Sequence, residues 1–126
     1  PASHETVDAR EHFIYQEGQA VFKWAVVKMA EATEEILKRN NMTSQDISYL
    51  LPHQANMRII SATGKRLELE NEKVLVNIEK YGNTTSATIP MLMFENQHKF
   101  KKGDNLILTA FGAGFTWGAV LVKWAI

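Results

Sequence analysis

Between Gln19 and Arg39, apolar or small positions recur at Phe22, Ala25, Val26, Met29, Thr33, Ile36 and Leu37. This three-and-four spacing predicts a helix with one buried face. Asn40 and Asn41 close it, because asparagine tolerates the left-handed conformation that ends helices. Upstream, "HFIY" at 12–15 reads as a short strand, broken by Gln16–Gly18. After the capping residues of "MTSQDIS", Tyr49–Leu51 is a short apolar run bounded by Pro52. It predicts a buried strand that stops just before His53. Ala55, Ile59, Ala62, Thr63 and Leu67 then mark a second helix over 55–67. Gly64 inside it costs about 1 kcal/mol relative to alanine, which implies that another element approaches closely there.

"KVLVNI" at 73–78 is rich in branched residues and predicts a strand, ended by "YGN". A third helix is expected to start at Ser86 as N-cap, with Pro90 in the first turn, where its missing amide hydrogen does no harm. Ile89, Leu92, Met93 and Phe100 give that helix its apolar face, and Lys101–Asp104 close it. The last segment, 105–124, is two apolar runs joined by Gly112–Gly114. Both runs are apolar on two faces, so adjacent strands covered by helices are expected. The order strand, helix, strand, helix, strand, helix, strand, strand predicts an α/β fold. Its sheet would be five-stranded, mixed and mostly parallel, with one antiparallel strand at the end. In open α/β sheets ligands bind beyond the carboxyl ends of the strands. His53, Asn83 and the 112–114 turn are expected along that edge.

Composition narrows the picture. With 126 residues, 45% hydrophobic and 22% charged, the chain can bury one core, so one domain over 1–126 is expected, with 1–15 a partly irregular entry segment. Fourteen basic residues balance fourteen acidic ones, so no global field favours nucleic acid or an anionic membrane, and charge recognition must be local. No apolar run approaches a membrane span, and the first dozen residues are too polar for a signal peptide. A soluble, cytoplasmic protein is expected. The chain starts at Pro1 rather than at methionine, as a processed or excised piece would. It has no cysteine, which excludes disulfides, thiolate metal sites and a cysteine nucleophile from these residues.

His53 can donate or accept through either ring nitrogen near neutral pH, and Asn83 offers two amide donors that never titrate. Together they suit holding a carbonyl oxygen as negative charge develops on it. Glycines at 112 and 114 permit tight backbone approach and could aim a further amide donor into the same space. A nucleophile is still needed. Serine and threonine are present, but neither a Gly-x-Ser-x-Gly elbow nor a carboxylate placed to orient His53 appears. Taken singly, each residue has a plainer reading: a structural histidine, a turn asparagine, a hairpin.

"PHQANMRII" at 52–60, "YGNTTSATIP" at 81–90 and "FGAGFTWGAVLVKW" at 111–124, in this order and at these separations, resemble the C-terminal half of β-ketoacyl-acyl-carrier-protein synthase III. That family initiates type II fatty acid synthesis and is thiolase-like. "EGQAVFKWAV" at 17–26 resembles the helix preceding the family's histidine motif. The resemblance implies a Cys-His-Asn triad with the histidine at His53 and the asparagine at Asn83. The cysteine would lie in the N-terminal half of the enzyme, so this chain is less than half of one and inactive alone. It further implies an acyl-carrier-protein site over Gln54, Ala55, Asn56, Met57 and Arg58, with Arg58 and Lys23 meeting an acidic surface. Phe22 would line the substrate channel, and the backbone amide of Ala113, where the family often has glycine, would join the oxyanion hole. The substrates implied are an acyl-coenzyme A and malonyl-carrier protein, with no metal or cofactor, in a homodimer when complete.

Two other readings stay open. Thiolase-like synthases of secondary metabolism share the Cys-His-Asn set, although chain-elongating relatives carry a second histidine where this chain has Asn83. A non-catalytic carrier-protein-binding module is the third reading. Trp24, Trp117 and Trp124 are expected in the core, and Lys65 and Arg66 on a wet helix face. His4, His12 and His98 are assigned no role.

Overall fold

The computed structural model describes residues 2–13 and 15–126. A short first helix, α1 (His4–Asp8), is capped by Ser3 and lies within the entry segment. Of the strand expected over 12–15, Ile14 lies outside the described residues. His12 and Phe13 occupy a turn and a bend, and Tyr15 has no strand partner. Helix α2 (Gly18–Arg39) buries Ala25, Met29, Ala30, Thr33 and Leu37, the stripe that the periodicity marks. It ends at Asn40, and Asn41 takes the expected left-handed conformation at φ 55°.

Strand β1 (Tyr49–Pro52) stops immediately before His53. Helix α3 runs Met57–Arg66, starting two residues later than the apolar pattern places it. The cause is Asn56, whose side-chain oxygen accepts the amide hydrogens of Arg58 and Ile59 at 2.9 and 3.4 Å and so serves as the N-cap. Ala55 is consequently exposed, and the buried stripe is Ile60, Thr63 and Gly64. Gly64 is where a neighbour comes close: a Cβ there would stand 2.7 Å from Val74 Cγ2.

The strand expected over 73–78 does not form. Val74 makes one isolated parallel bridge to Leu50, and the Leu75 amide donates to the Leu50 carbonyl at 2.9 Å. Two residues later the fully buried Gln54 intervenes. Its Oε1 accepts the Asn77 and Ile78 amides at 2.9 and 3.1 Å, taking the donors that a ladder needs, and the chain turns into α4 (Ile78–Tyr81). Helix α5 spans Thr88–Asn96, with Ala87 rather than Ser86 as its N-cap and Pro90 in its first turn. Ser86 belongs to a 3₁₀ turn over 85–87. Phe100 joins the same core from just beyond a second 3₁₀ turn, not from the helix.

Strands β2 (Asn105–Gly112) and β3 (Thr116–Lys123) form the expected hairpin. The sheet therefore has three strands, not five, in the order β1-β2-β3. The first pair is parallel from Tyr49↔Leu106 to Pro52↔Thr109 and the second is antiparallel. Alternation sends Leu50 and Ile107 to the face covered by α2 and α3, and Leu51 and Leu106 to the face covered by α5, as the two-residue period requires. Coverage is incomplete on β3: Trp117 is 49% and Val120 54% exposed. Trp24 is likewise a surface residue. It and Trp117 flank the Lys28 ammonium at 5.5 and 5.4 Å, while Trp124 packs edge-on against Phe100 in the core. Among the described residues, no helix is long and apolar enough to cross a membrane.

Candidate active site

The parallel pairing of β1 and β2 puts His53 and Gly112 at the same carboxyl edge of the sheet. Asn83 follows α4 rather than a strand. Ala25, Met29 and Phe111 pack with Val21 and Ile59, which brings the first turns of α2 and α3 to that edge as well. Its floor is thus apolar and its rim carries the polar candidates.

His53 is half-buried. Its backbone amide donates to the Thr109 carbonyl at 2.8 Å, which locks it to β2. Its Nδ1 lies 2.6 Å from Thr88 Oγ1, in the first turn of α5. Burial pushes the imidazole below its ordinary pKa of 6.5, because desolvation disfavours the charged ring. Thr88 Oγ1 in turn stands 3.1 Å from the Thr85 carbonyl. The Thr85 amide donates to Asn83 Oδ1 at 2.9 Å. A backbone N–H can only donate, so the Asn83 oxygen is occupied and both hydrogens of its Nδ2 stay available. Gly82, at φ 66°, turns the chain into this loop, a conformation that glycine adopts without strain. His53 and Asn83 are therefore joined through three links, and among the described residues His53 Nε2 and Asn83 Nδ2 have no hydrogen-bond partner.

Two further residues hold this arrangement, and sequence reasoning missed their roles. Gln54 Nε2 donates to the Pro52 carbonyl at 2.8 Å, while its oxygen takes Asn77 and Ile78. One buried amide thus clamps the end of β1 to the start of α4. Glu95 accepts from Asn77 Nδ2 at 2.9 Å, Tyr81 Oη at 2.7 Å and Lys80 Nζ at 3.3 Å. These partners, the Tyr81 hydroxyl first, hold its carboxyl below the usual carboxylate range. Glu95 fastens α4 to α5 on both sides of the Asn83 loop. Gln54 lies within the 52–60 motif, but nothing in that motif marks it as a buried clamp, and Glu95 lies in no motif. The only sequence signal is an amide or acid set among apolar positions.

Ala113 is exposed in the β2–β3 turn. Its carbonyl accepts the Thr116 hydroxyl at 3.1 Å, and among the described residues its amide hydrogen has no partner. Gly114 is required beside it: φ is 133° and an added Cβ would meet Thr116 Cγ2 at 3.0 Å. Arg58 is exposed near the start of α3, its guanidinium 5.4 Å from the centre of the Phe22 ring. Phe22 is half-buried, with its ring beside that cation. Lys23 is exposed on the next position of α2, Ala55 and Asn56 are exposed, and Met57 is half-buried. Gln54, expected on the carrier-facing surface, has no accessible area and no means of meeting a partner. Clefts of about 260 and 520 Å³ lie elsewhere, beside Met42 and Leu67 and beside Trp117. Neither cleft is lined by His53, Asn83 or Ala113.

Residues 37–124 match the family described as "3-Oxoacyl-[acyl-carrier-protein (ACP)] synthase III C terminal". The chain is 62% identical over 125 residues to the β-ketoacyl-[acyl-carrier-protein] synthase III of Porphyromonas gingivalis, a match that takes in 99% of this chain and 37% of that protein. The crystal structure of 3-oxoacyl-[acyl-carrier-protein] synthase III from Aquifex aeolicus VF5 superposes with a TM-score of 0.86 at 44% identity, over 89% of this chain and 37% of the other. The corresponding synthase III structure from Pseudomonas aeruginosa PAO1 gives 0.87 at 36% identity, over 100% and 40%. The chain thus spans well under half the length of the relatives it matches.

Proposed function

Because this chain belongs to the family of 3-oxoacyl-[acyl-carrier-protein] synthase III C-terminal domains, we propose that it supplies the decarboxylating side of a condensing enzyme. Its thiol would come from residues outside these 126. In this reading a cysteine thiolate attacks the carbonyl of an acyl-coenzyme A, a new thioester forms, and coenzyme A leaves as its thiolate. Malonyl-carrier protein then enters. As its terminal carbon–carbon bond breaks and carbon dioxide departs, the electron pair passes into the thioester carbonyl. His53 and Asn83 each donate a hydrogen bond to the resulting enolate oxygen. The enolate carbon attacks the acyl-cysteine, the Ala113 amide receives the new oxyanion, and the cysteine thiolate is expelled.

One observation carries the reading: the Asn83 oxygen accepts the Thr85 amide, which orients its Nδ2 hydrogens to donate, and Thr85 and Thr88 link it to a ring whose neutral form is favoured by burial. Two fixed donors are what a developing oxyanion requires. Arg58 and Lys23 stand exposed at the same edge, where they would meet an acidic carrier protein.

The test is made in the full-length protein that carries this chain. His53→Ala and Asn83→Ala should each slow malonyl decarboxylation about 10²–10³-fold, with a much smaller effect on acyl transfer from acyl-coenzyme A. The two half-reactions are assayed separately. Equal losses in both would show that the pair serves the fold or the thiolate, not the enolate. The isolated chain, lacking cysteine, should give no thioester adduct by mass spectrometry after incubation with acetyl-coenzyme A.

A further inference from the structure

We propose that Thr88 is a positioning residue that keeps the ring proton of His53 on Nε2, so that the neutral imidazole faces substrate as a donor. The proposal rests on the reading of His53 as a donor to the enolate. A neutral histidine has one N–H and one lone pair, and the partner of one nitrogen decides what the other can do. If the Nδ1 partner were a carboxylate, the proton would be drawn to Nδ1 and Nε2 would meet an enolate lone pair to lone pair. Here the partner is a hydroxyl, which can donate or accept, so its own proton decides.

Thr88 Oγ1 has two possible acceptors, His53 Nδ1 at 2.6 Å and the Thr85 carbonyl at 3.1 Å. Three observations put the proton on the line to Nδ1. That contact is the shorter by half an ångström. The Thr85 carbonyl already accepts the Thr88 amide hydrogen, and it belongs to an exposed residue that water can reach. Thr88 itself is 2% exposed, so no water replaces its hydroxyl at Nδ1. With Nδ1 accepting, the ring hydrogen must be on Nε2. Burial also keeps the ring neutral below its ordinary range, so the tautomer, rather than the charge, sets what the ring offers.

The experiment is nitrogen-15 NMR of the histidine rings in the full-length protein, with the His53 signals assigned by their loss in His53→Gln. The wild type and Thr88→Ser should both show His53 protonated on Nε2. Thr88→Val, equal in shape but without the hydroxyl, should show a mixture of tautomers and lose about tenfold in malonyl decarboxylation, roughly what one hydrogen bond supplies. Thr88→Ser should restore most of that rate. A wild-type ring protonated on Nδ1 would overturn the proposal, as would a Thr88→Val protein with an unchanged tautomer, whatever its activity. Should Thr88→Val not fold, the wild-type and Thr88→Ser spectra still decide. Failure of the parent reading looks different: His53→Gln would then decarboxylate normally, while the tautomer is read without turnover.

Discussion

His53 sits half-buried between the end of β1 and the start of α5, whereas Asn83 and Ala113 stand on exposed turns, with donors that have no partner among the described residues. The first is placed by long-range packing within this chain: its amide reaches β2, its ring reaches Thr88, and the next residue, Gln54, is sealed beneath it. The other two are placed by local turn geometry, through Gly82 and Gly114 at positive φ. One of the three donors is therefore a property of the core and two are a property of loops. A core-held group is sensitive to distant substitutions that change packing. A loop-held donor responds to its own turn.

Gln54→Leu should break this comparison with the largest effect. The side chain is fully buried and makes hydrogen bonds to Pro52, Asn77 and Ile78. Leucine leaves two buried amide donors unpaired, at about 1–3 kcal/mol each. A loss of about 3 kcal/mol is expected in denaturant unfolding of the full-length protein, with decarboxylation falling further as α4 releases the Asn83 loop. A change under about 0.5 kcal/mol, the range of ordinary surface substitutions, would show that Gln54 is not what ends the pairing at Val74.

That residue also explains how much of the molecule was legible in the sequence. Helix α2 was readable because its burial follows a single period of 3.6 over many residues, and the β2–β3 hairpin because two apolar runs flank a glycine turn. The 73–78 segment has strand composition and forms one bridge only, because a side chain 23 and 24 residues upstream of Asn77 and Ile78 takes the amides a ladder would use. No local pattern encodes such an override. The start of α3 was misplaced for a related reason: Asn56 is a capping residue, and the apolar spacing of Ala55 concealed it. At the site, His53 and Asn83 drew notice through their types and the three ordered motifs. Thr88 did not, since a threonine at the start of a helix looks like any other until the ring lies beside it.

The buried and exposed donors also differ in how they answer acid. His53 is held below its ordinary pKa of 6.5 by desolvation, so the unfolded chain takes up its proton first as pH falls. Its stabilising contribution is therefore fully present above about pH 6.5 and is lost as pH drops through the lower, folded value. Wild-type protein should lose thermal stability between pH 7 and 5 more steeply than His53→Gln, measured as Tm against pH. Asn83→Ala should keep the wild-type slope, because an amide does not titrate. If both variants have the wild-type slope, the ring is not protected from solvent.

The smallest effect concerns the rim. Arg58 is exposed and lies 5.4 Å from the Phe22 ring, so its cation is held over an aromatic face rather than paired with an acid. Such a contact is worth about 0.5–1 kcal/mol at an exposed position. It restrains a long side chain at the edge that carries His53 and Gly112 without neutralising its charge. If an acidic carrier protein docks here, reversing the charge should weaken the encounter, and salt should screen the difference. Arg58→Glu in the full-length protein should raise KM for malonyl-carrier protein about tenfold at low salt, as expected for a steering charge. The penalty should shrink as salt is added, with acyl transfer from acyl-coenzyme A nearly unchanged. Phe22→Leu removes only the platform and should cost about threefold in the same KM, the size of the lost cation–π contact. A drop in Tm with equal harm to both half-reactions would instead mark Arg58 as a packing residue. A large Phe22→Leu effect on acyl transfer alone would mark Phe22 as a substrate-channel residue, the role that the sequence resemblance implies.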